Sequence, residues 1–168
     1  MSETLSPALP PDIDALVEKV LKAAHGRELT LATAESCTGG LLASLLTDVD
    51  GFGHAFERGF VAYTLGAKHE LLDVPKTLLD DPGPVSEVVA RAMAEGAIAN
   101  SGADVAVSIT GFAGEGAPGD PAGLVHFAVA LRGGSTWHEM HRFPVRDRAG
   151  VRLMSLRVAL RMLHDRIV

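Results

Sequence analysis

A three-layer α/β/α sandwich on a mixed β-sheet is the fold class that three features of the sequence predict. Apolar runs suited to strands alternate with amphipathic runs at helical spacing through the first two thirds of the chain. Two of the strand-like runs end directly in small, Gly-rich turns. Late in the chain two strand-like runs follow each other as a hairpin, so the sheet cannot be wholly parallel.

In order, Met1–Pro11 is rich in proline and poor in apolar residues, which predicts a disordered lead-in, with one domain over residues 12–168. Asp12 is expected to cap a helix whose Ile13, Leu16, Val17, Val20, Leu21 and Ala24 keep helical spacing, with Gly26 as its stop. Glu28–Ala34 reads as the first strand and Thr38–Thr47 as the next helix. After a break at Gly51-Phe52-Gly53, Phe56–Tyr63 reads as a second strand. Short helical pieces are expected over Ala67–Leu72 and Pro75–Leu79. Beyond Pro82-Gly83-Pro84, Ser86 is placed to cap a helix that runs to about Asn100. Val105–Ile109 has the character of a buried strand and ends in Thr110-Gly111-Phe112-Ala113-Gly114. Leu124–Leu131 and Thr136–Phe143 form the hairpin across Arg132-Gly133-Gly134-Ser135. Asp147 then opens a long helix with apolar residues at Val151, Leu153, Met154, Leu156, Val158, Leu160, Met162 and Leu163.

The 168 residues suffice for one well-filled core, and 47% apolar with 21% charged residues describe an ordinary globule. No apolar run reaches the roughly 20 residues of a membrane span, and the N-terminus lacks the pattern of a signal peptide. A single cysteine, Cys37, excludes an internal disulfide framework and suits a reducing compartment, so a cytoplasmic location is expected. The net charge of −6 argues against general nucleic-acid binding. Yet from Arg132 onward eight arginines face only Glu139, Asp147 and Asp165, while the earlier residues hold 7 Lys/Arg against 18 Asp/Glu. That asymmetry fits either a compact anionic ligand or a solvated arginine face on a terminal helix.

Chemistry concentrates at Leu31-Ala32-Thr33-Ala34-Glu35-Ser36-Cys37-Thr38-Gly39-Gly40, where a strand meets a helix. Such a turn presents a side-chain nucleophile together with backbone N–H groups that can hold an anion. Ser36 is the candidate nucleophile; equally, Ser36 or Thr38 could serve only as a helix cap. Cys37 is its rival, although a lone cysteine is more often a small buried apolar residue. The spacing is neither G-x-S-x-G nor G-x-x-x-x-G-K-[ST]. None of the seven histidines falls in a triad pattern, which turns attention to Lys68, one of four lysines. It follows the strand that carries Tyr63, the only tyrosine. A desolvated lysine can take a serine's proton; a surface position on a short helix is the alternative. Arg148 and Arg152, four apart, share a face at the start of the last helix, open either to a phosphate or to salt bridges. No metal-ligand pattern and no cofactor motif is present.

Taken together, these stretches resemble one family, the CinA C-terminal domain or nicotinamide-nucleotide amidase family. The resemblance rests first on Thr33-Ala34-Glu35-Ser36-Cys37-Thr38-Gly39-Gly40. Phe56–Tyr63 with Ala67-Lys68, Val85-Ser86-Glu87, Ser108–Gly114, and Asp147-Arg148 with Val151-Arg152 follow in the family's order. It implies an α/β/α domain, often homo-oligomeric, that hydrolyses the carboxamide of nicotinamide mononucleotide to nicotinate mononucleotide and ammonia in pyridine nucleotide salvage. By position, Ser36 matches the nucleophile, Tyr63 and Lys68 the groups that activate it, Thr110 an active-site residue and Arg148 the arginine associated with the ligand. On this resemblance Thr38, Gly39, Gly40, Thr110, Gly111, Arg148 and Arg152 are expected to bind substrate, with no metal and no cofactor. The stand-alone form, without the larger N-terminal domain of longer members, is expected. The chain departs from the family's pattern at Thr64-Leu65, where Ser-Asn is usual, at Glu115, where proline is usual, and at Asp120, which replaces a frequent lysine in a loop that looks shorter. A carboxylate near an anionic substrate weakens phosphate binding unless its loop points away. A nucleotide-binding module without turnover, or a Ser/Lys amidase for another small amide, are therefore the alternatives.

Overall fold

A computed structural model of the chain describes residues 9–144 and 147–168. Its elements run α1 (Pro11–Gly26), β1 (Leu31–Glu35), α2 (Leu41–Leu46), a 3₁₀ turn (Gly53–Ala55), β2 (Phe56–Val61), α3 (Leu65–Leu72), α4 (Lys76–Asp80), α5 (Glu87–Ala99), β3 (Val105–Gly111), β4 (Leu124–Leu131), β5 (Thr136–Arg142) and α6 (Arg148–Ile167). The five strands form one mixed sheet in the order β2-β1-β3-β4-β5. Strands β2, β1 and β3 are parallel, and β4 and β5 add antiparallel. Helices cover both faces, as the alternating sequence predicts. None of the helices among the described residues is long and apolar enough to cross a membrane.

The alternation of side chains along the strands decides which helix lies on which face. Leu31, Val105, Val107, Ile109, Val125, Phe127 and Val129 pack with α1, α2 and α6 in one large apolar cluster. Their neighbours on the opposite face are small: Ala32, Ala34, Ala106, Ala128 and Ala130 pack against α5. Alanines let that helix approach closely, and the Ser108 hydroxyl donates to the Ala90 carbonyl across the gap at 2.6 Å.

Connectivity then places a crevice. From β1 the chain crosses through α2 to β2 on one side, and from β2 it returns through α3, α4 and α5 to β3 on the other. Strand β1 is thus flanked by neighbours reached in opposite directions, and the carboxyl ends of β1 and β3 lie at this switch point. The register brings Glu35 beside Ile109 and Val61, so Ser36 emerges between the two flanking strands.

Several boundaries differ from those the sequence predicts. Pro11 already belongs to α1 and Leu9 packs on the core, so the lead-in stops short of residue 11; residues 1–8 lie outside the described residues. Asp12 makes no cap and instead pairs with Arg157 of α6 at 2.5 Å. Glu28 and Leu29 are not strand: their N–H groups bond back to the His25 and Ala24 carbonyls at the end of α1. Helix α2 begins at Leu41 rather than Thr38, and α3 begins earlier than Ala67 because Thr64 caps it. Strand β3 runs on through Thr110 and Gly111, which pair with His126 and Val125. Ser86 and Asp147 cap α5 and α6 as expected, accepting from Val89 N at 3.4 Å and Gly150 N at 2.9 Å.

Close packing of α5 on α3 yields a test. A Cβ at Gly96 would fall 1.9 Å from the Leu72 carbonyl oxygen. Gly96→Ala is expected to lower unfolding stability by about 1–3 kcal/mol, because backbone rather than a flexible side chain must move. Urea denaturation reads this directly, and an unchanged midpoint would refute the close approach.

Candidate active site

The turn after β1 is fixed from three sides. The Ser36 N–H donates to the Ile109 carbonyl at 2.9 Å, joining the turn to β3. Gly39 and Gly40 take left-handed φ values of 62° and 93°, which reverse the chain before α2. Glu35, fully buried, extends its carboxylate to the start of α2 and accepts from Leu42 N at 3.1 Å and Ala43 N at 2.8 Å. From α6, Arg152 donates to the Cys37 carbonyl at 3.1 Å and to the Thr38 carbonyl at 2.9 Å. A Cβ at Gly39 would lie only 2.6 Å from Arg152 Nη2.

These contacts revise the expected anion site. The α2 donors at Leu42 and Ala43 are occupied by the protein's own carboxylate, and the Gly39 N–H donates to the Ser36 carbonyl at 3.1 Å. The Thr38 side chain is fully buried. Arg152 is turned onto the turn's carbonyls, which makes it a brace for Ser36. Glu35 was not singled out in the sequence, yet its position at a strand end, seven and eight residues before the donors it meets, is the signal that identifies such a cap in retrospect.

Lys68 reaches the same point from α3, the helix that follows β2. Thr64 Oγ1 accepts from Ala67 N at 3.0 Å and starts α3, so Lys68 sits on its first turn. Its side chain is only 2% exposed. Nζ lies 2.9 Å from Ser36 Oγ, 2.9 Å from the Ala62 carbonyl oxygen and 3.1 Å from that of Tyr63. Burial pulls the lysine down from its ordinary 10.5 to about 8. A neutral amine keeps two N–H donors and one lone pair. As an ammonium Lys68 donates to all three oxygens; once it loses a proton, the two carbonyls can take the remaining donors, which leaves the lone pair for the Ser36 hydroxyl proton. The arrangement holds a serine hydroxyl in hydrogen-bond contact with a lysine of lowered pKa.

Tyr63 enters this set through its main chain, while the residue as a whole is exposed. Cys37, the rival nucleophile, is buried, and burial pushes its thiol up to about 11, so it stays protonated. A cavity of about 320 Å³ opens over Ser36 and Lys68. Tyr63–Leu65 line it from the β2 side, Thr110–Phe112 from the β3 side, and Pro84 with Val85 from the loop ahead of α5. The Thr110 hydroxyl donates to the Pro84 carbonyl at 2.8 Å and so holds that loop in place as a wall. Gly111 lies beside it at the end of β3, paired with Val125. Arg148 is exposed at the start of α6, with Nη2 4.0 Å from where a Gly114 Cβ would be. Arg148 therefore lies over the turn after β3, while Arg152 lies under the turn after β1.

Two features escape sequence reading altogether. His126 and His138, diagonal neighbours on β4 and β5, meet at 2.9 Å, and burial lowers both below the ordinary value. His25 and His54 meet at 2.7 Å at the opposite end of the sheet. Neither pair touches Ser36 or Lys68 through a hydrogen bond among the described residues. Also among them, no group of three or more His, Cys, Asp or Glu is placed to hold a metal ion. The Asp120 carboxylate accepts from the Ala117 N–H at 2.9 Å, closing its own loop, and this loop does not line the cavity.

Comparison with known proteins agrees with this fold. The family model described as the CinA C-terminal domain matches residues 13–167. A CinA-like protein from Akkermansia muciniphila is 51% identical over 141 residues, covering 83% of this chain. The chain spans about a third of the length of such CinA-like relatives, 34% in that case. A protein of Enterobacter agglomerans named nicotinamide-nucleotide amidohydrolase PncC is 46% identical over 134 residues, 76% of this chain and 81% of its own length. The crystal structure of competence/damage inducible protein CihA from Agrobacterium tumefaciens superposes with a TM-score of 0.88 at 41% identity, covering 92% of this chain and 95% of that one.

Two stability measurements follow from the site. Arg152→Ala removes both guanidinium bonds to the turn and is expected to cost about 2 kcal/mol; a loss below the noise of urea unfolding would rule out the bracing role. Lys68 titrates lower in the folded protein, at about 8, than in the unfolded chain, so the unfolded state holds more protons between that point and 10.5. Stability attributable to this group therefore rises with pH across that window. Lys68→Met should remove the rise, and parallel slopes for both proteins would contradict a desolvated lysine.

Proposed function

The chain belongs to the CinA C-terminal domain family, and on that premise we propose that it is a serine amidohydrolase acting on the carboxamide of nicotinamide mononucleotide. The observation that carries this reading is the buried 2.9 Å contact between Lys68 Nζ and Ser36 Oγ, with both remaining amine donors tied to carbonyls. The name of the Enterobacter agglomerans relative, matched over 81% of its length, supports the substrate.

In this reading neutral Lys68 takes the Ser36 proton as Oγ attacks the carboxamide carbon. The ammonium so formed then protonates the departing nitrogen. Ammonia leaves and an ester to Ser36 remains. Water, deprotonated by the same lysine, attacks that ester and returns the proton and the carboxylate product. One amide and one water are consumed, and one acid and one ammonia are formed. Since the Gly39 N–H is engaged, the Thr38 and Gly40 N–H groups are the turn's candidates for the developing oxyanion. Tyr63 contributes by fixing the lysine with its carbonyl. Arg148 is assigned to the phosphate, because Arg152 is committed to the turn.

Ammonia release from nicotinamide mononucleotide tests this, with a known amidase as positive control. Ser36→Ala should keep its fold and lose turnover by at least about a thousandfold. With the base titrating at about 8, kcat/KM should rise with pH and level off above that point. Binding of the nucleotide without ammonia would favour the non-catalytic module, and full activity in Ser36→Ala would remove the acyl-enzyme.

A further inference from the structure

Strand order puts an aromatic residue on each side of the nucleophile. Strands β2 and β3 flank β1, and Tyr63 follows β2 just as Phe112 follows β3. Both line the cavity that contains Ser36 and Lys68. Tyr63 is well exposed toward solvent, and Phe112 is partly buried. Leu65, where the family usually has asparagine, adds a further apolar surface to the same rim. No carboxylate lines this cavity among the described residues. A ligand bearing positive charge on a flat ring would therefore find its compensation in aromatic faces rather than in an ion pair.

We propose that Tyr63 and Phe112 form the two walls of a slot that takes a flat, cationic aromatic ring and holds its carboxamide against Ser36. The proposal rests on the amidase reading above and adds to it the determinant of ring specificity. It assigns Tyr63 a binding role for its ring, separate from the lysine contact made by its carbonyl. The slot also fits the lysine's chemistry. A cation held beside Lys68 opposes protonation of the amine, so the bound ligand itself favours the free base that removes the Ser36 proton. A neutral ring of equal shape would gain neither effect.

Ser36→Ala protein, which cannot turn substrate over, is titrated by calorimetry at pH 9, where the amine is neutral. The two probes are nicotinamide mononucleotide and its benzamide analogue, the same shape without the ring charge. The cationic ring should bind about 3- to 30-fold more tightly. Introducing Tyr63→Leu or Phe112→Leu should shrink that preference toward unity, while Tyr63→Phe should retain it. Equal binding of the two probes, or a preference that survives in both leucine variants, overturns the slot. Ammonia release by the unmodified protein is measured in parallel. Turnover without ring preference would remove the slot and leave the amidase reading standing; neither turnover nor binding would remove both.

Discussion

A lysine amine buried against a serine hydroxyl is the constraint on which the rest of this structure depends. An ammonium at 2% exposure would be costly without compensation, and the described residues offer it two main-chain carbonyls and a hydroxyl but no carboxylate in hydrogen-bond contact. Three oxygens can take an ammonium's three donors, but burial without a paired carboxylate lowers the pKa and so eases loss of the proton. It also demands accuracy from elements far apart in sequence. Strand β1 must end beside β2, α3 must start one turn before Lys68, and the turn at Ser36 must not move. Thr64 sets the second, while Ile109, Glu35 and Arg152 secure the third.

Small residues make this convergence feasible. The alanines of β1, β3 and β4 draw α5 onto one face, and its capped N-terminus follows directly on the Pro84–Val85 wall of the cavity. Thr110 ties that wall to β3. The larger residues on the other face carry most of the core and anchor α6, from which Arg152 and Arg148 reach two different turns. Two arginines four residues apart on one helix thus sit differently, Arg152 braced within the fold and Arg148 exposed at its surface.

Much of the architecture was legible in the sequence because period-2 and period-3.6 patterns are strong where one face of an element is buried. The α/β/α class, the late hairpin and the caps at Ser86 and Asp147 follow from such local signals. The junctions were less legible. Whether Thr38 or Leu41 starts α2 depends on Glu35, whose carboxylate meets the helix only after folding. The continuation of β3 through Thr110 depends on its pairing with β4. Pattern alone left Ser36 between cap and nucleophile and Lys68 between base and surface residue. Their 2.9 Å contact spans 32 residues of sequence, and no local period encodes it. The same holds for the His126–His138 pair, which two strands bring together. The altered Thr64 proves conservative, since its hydroxyl caps α3, whereas Leu65 changes the chemistry of the rim.

The lowered pKa of Lys68 is the claim from which the chemistry descends, and it can be measured without any substrate. Protein labelled with ¹³C at lysine Cε carries only four such sites, and the Lys68 signal is assigned by its loss in Lys68→Met. Its titration should show a midpoint near 8. A midpoint in the ordinary lysine range, about 10.4, would leave well under about 1% of Lys68 as free amine at neutral pH, against about a tenth with a midpoint of about 8, and would contradict Lys68 as the base that activates Ser36.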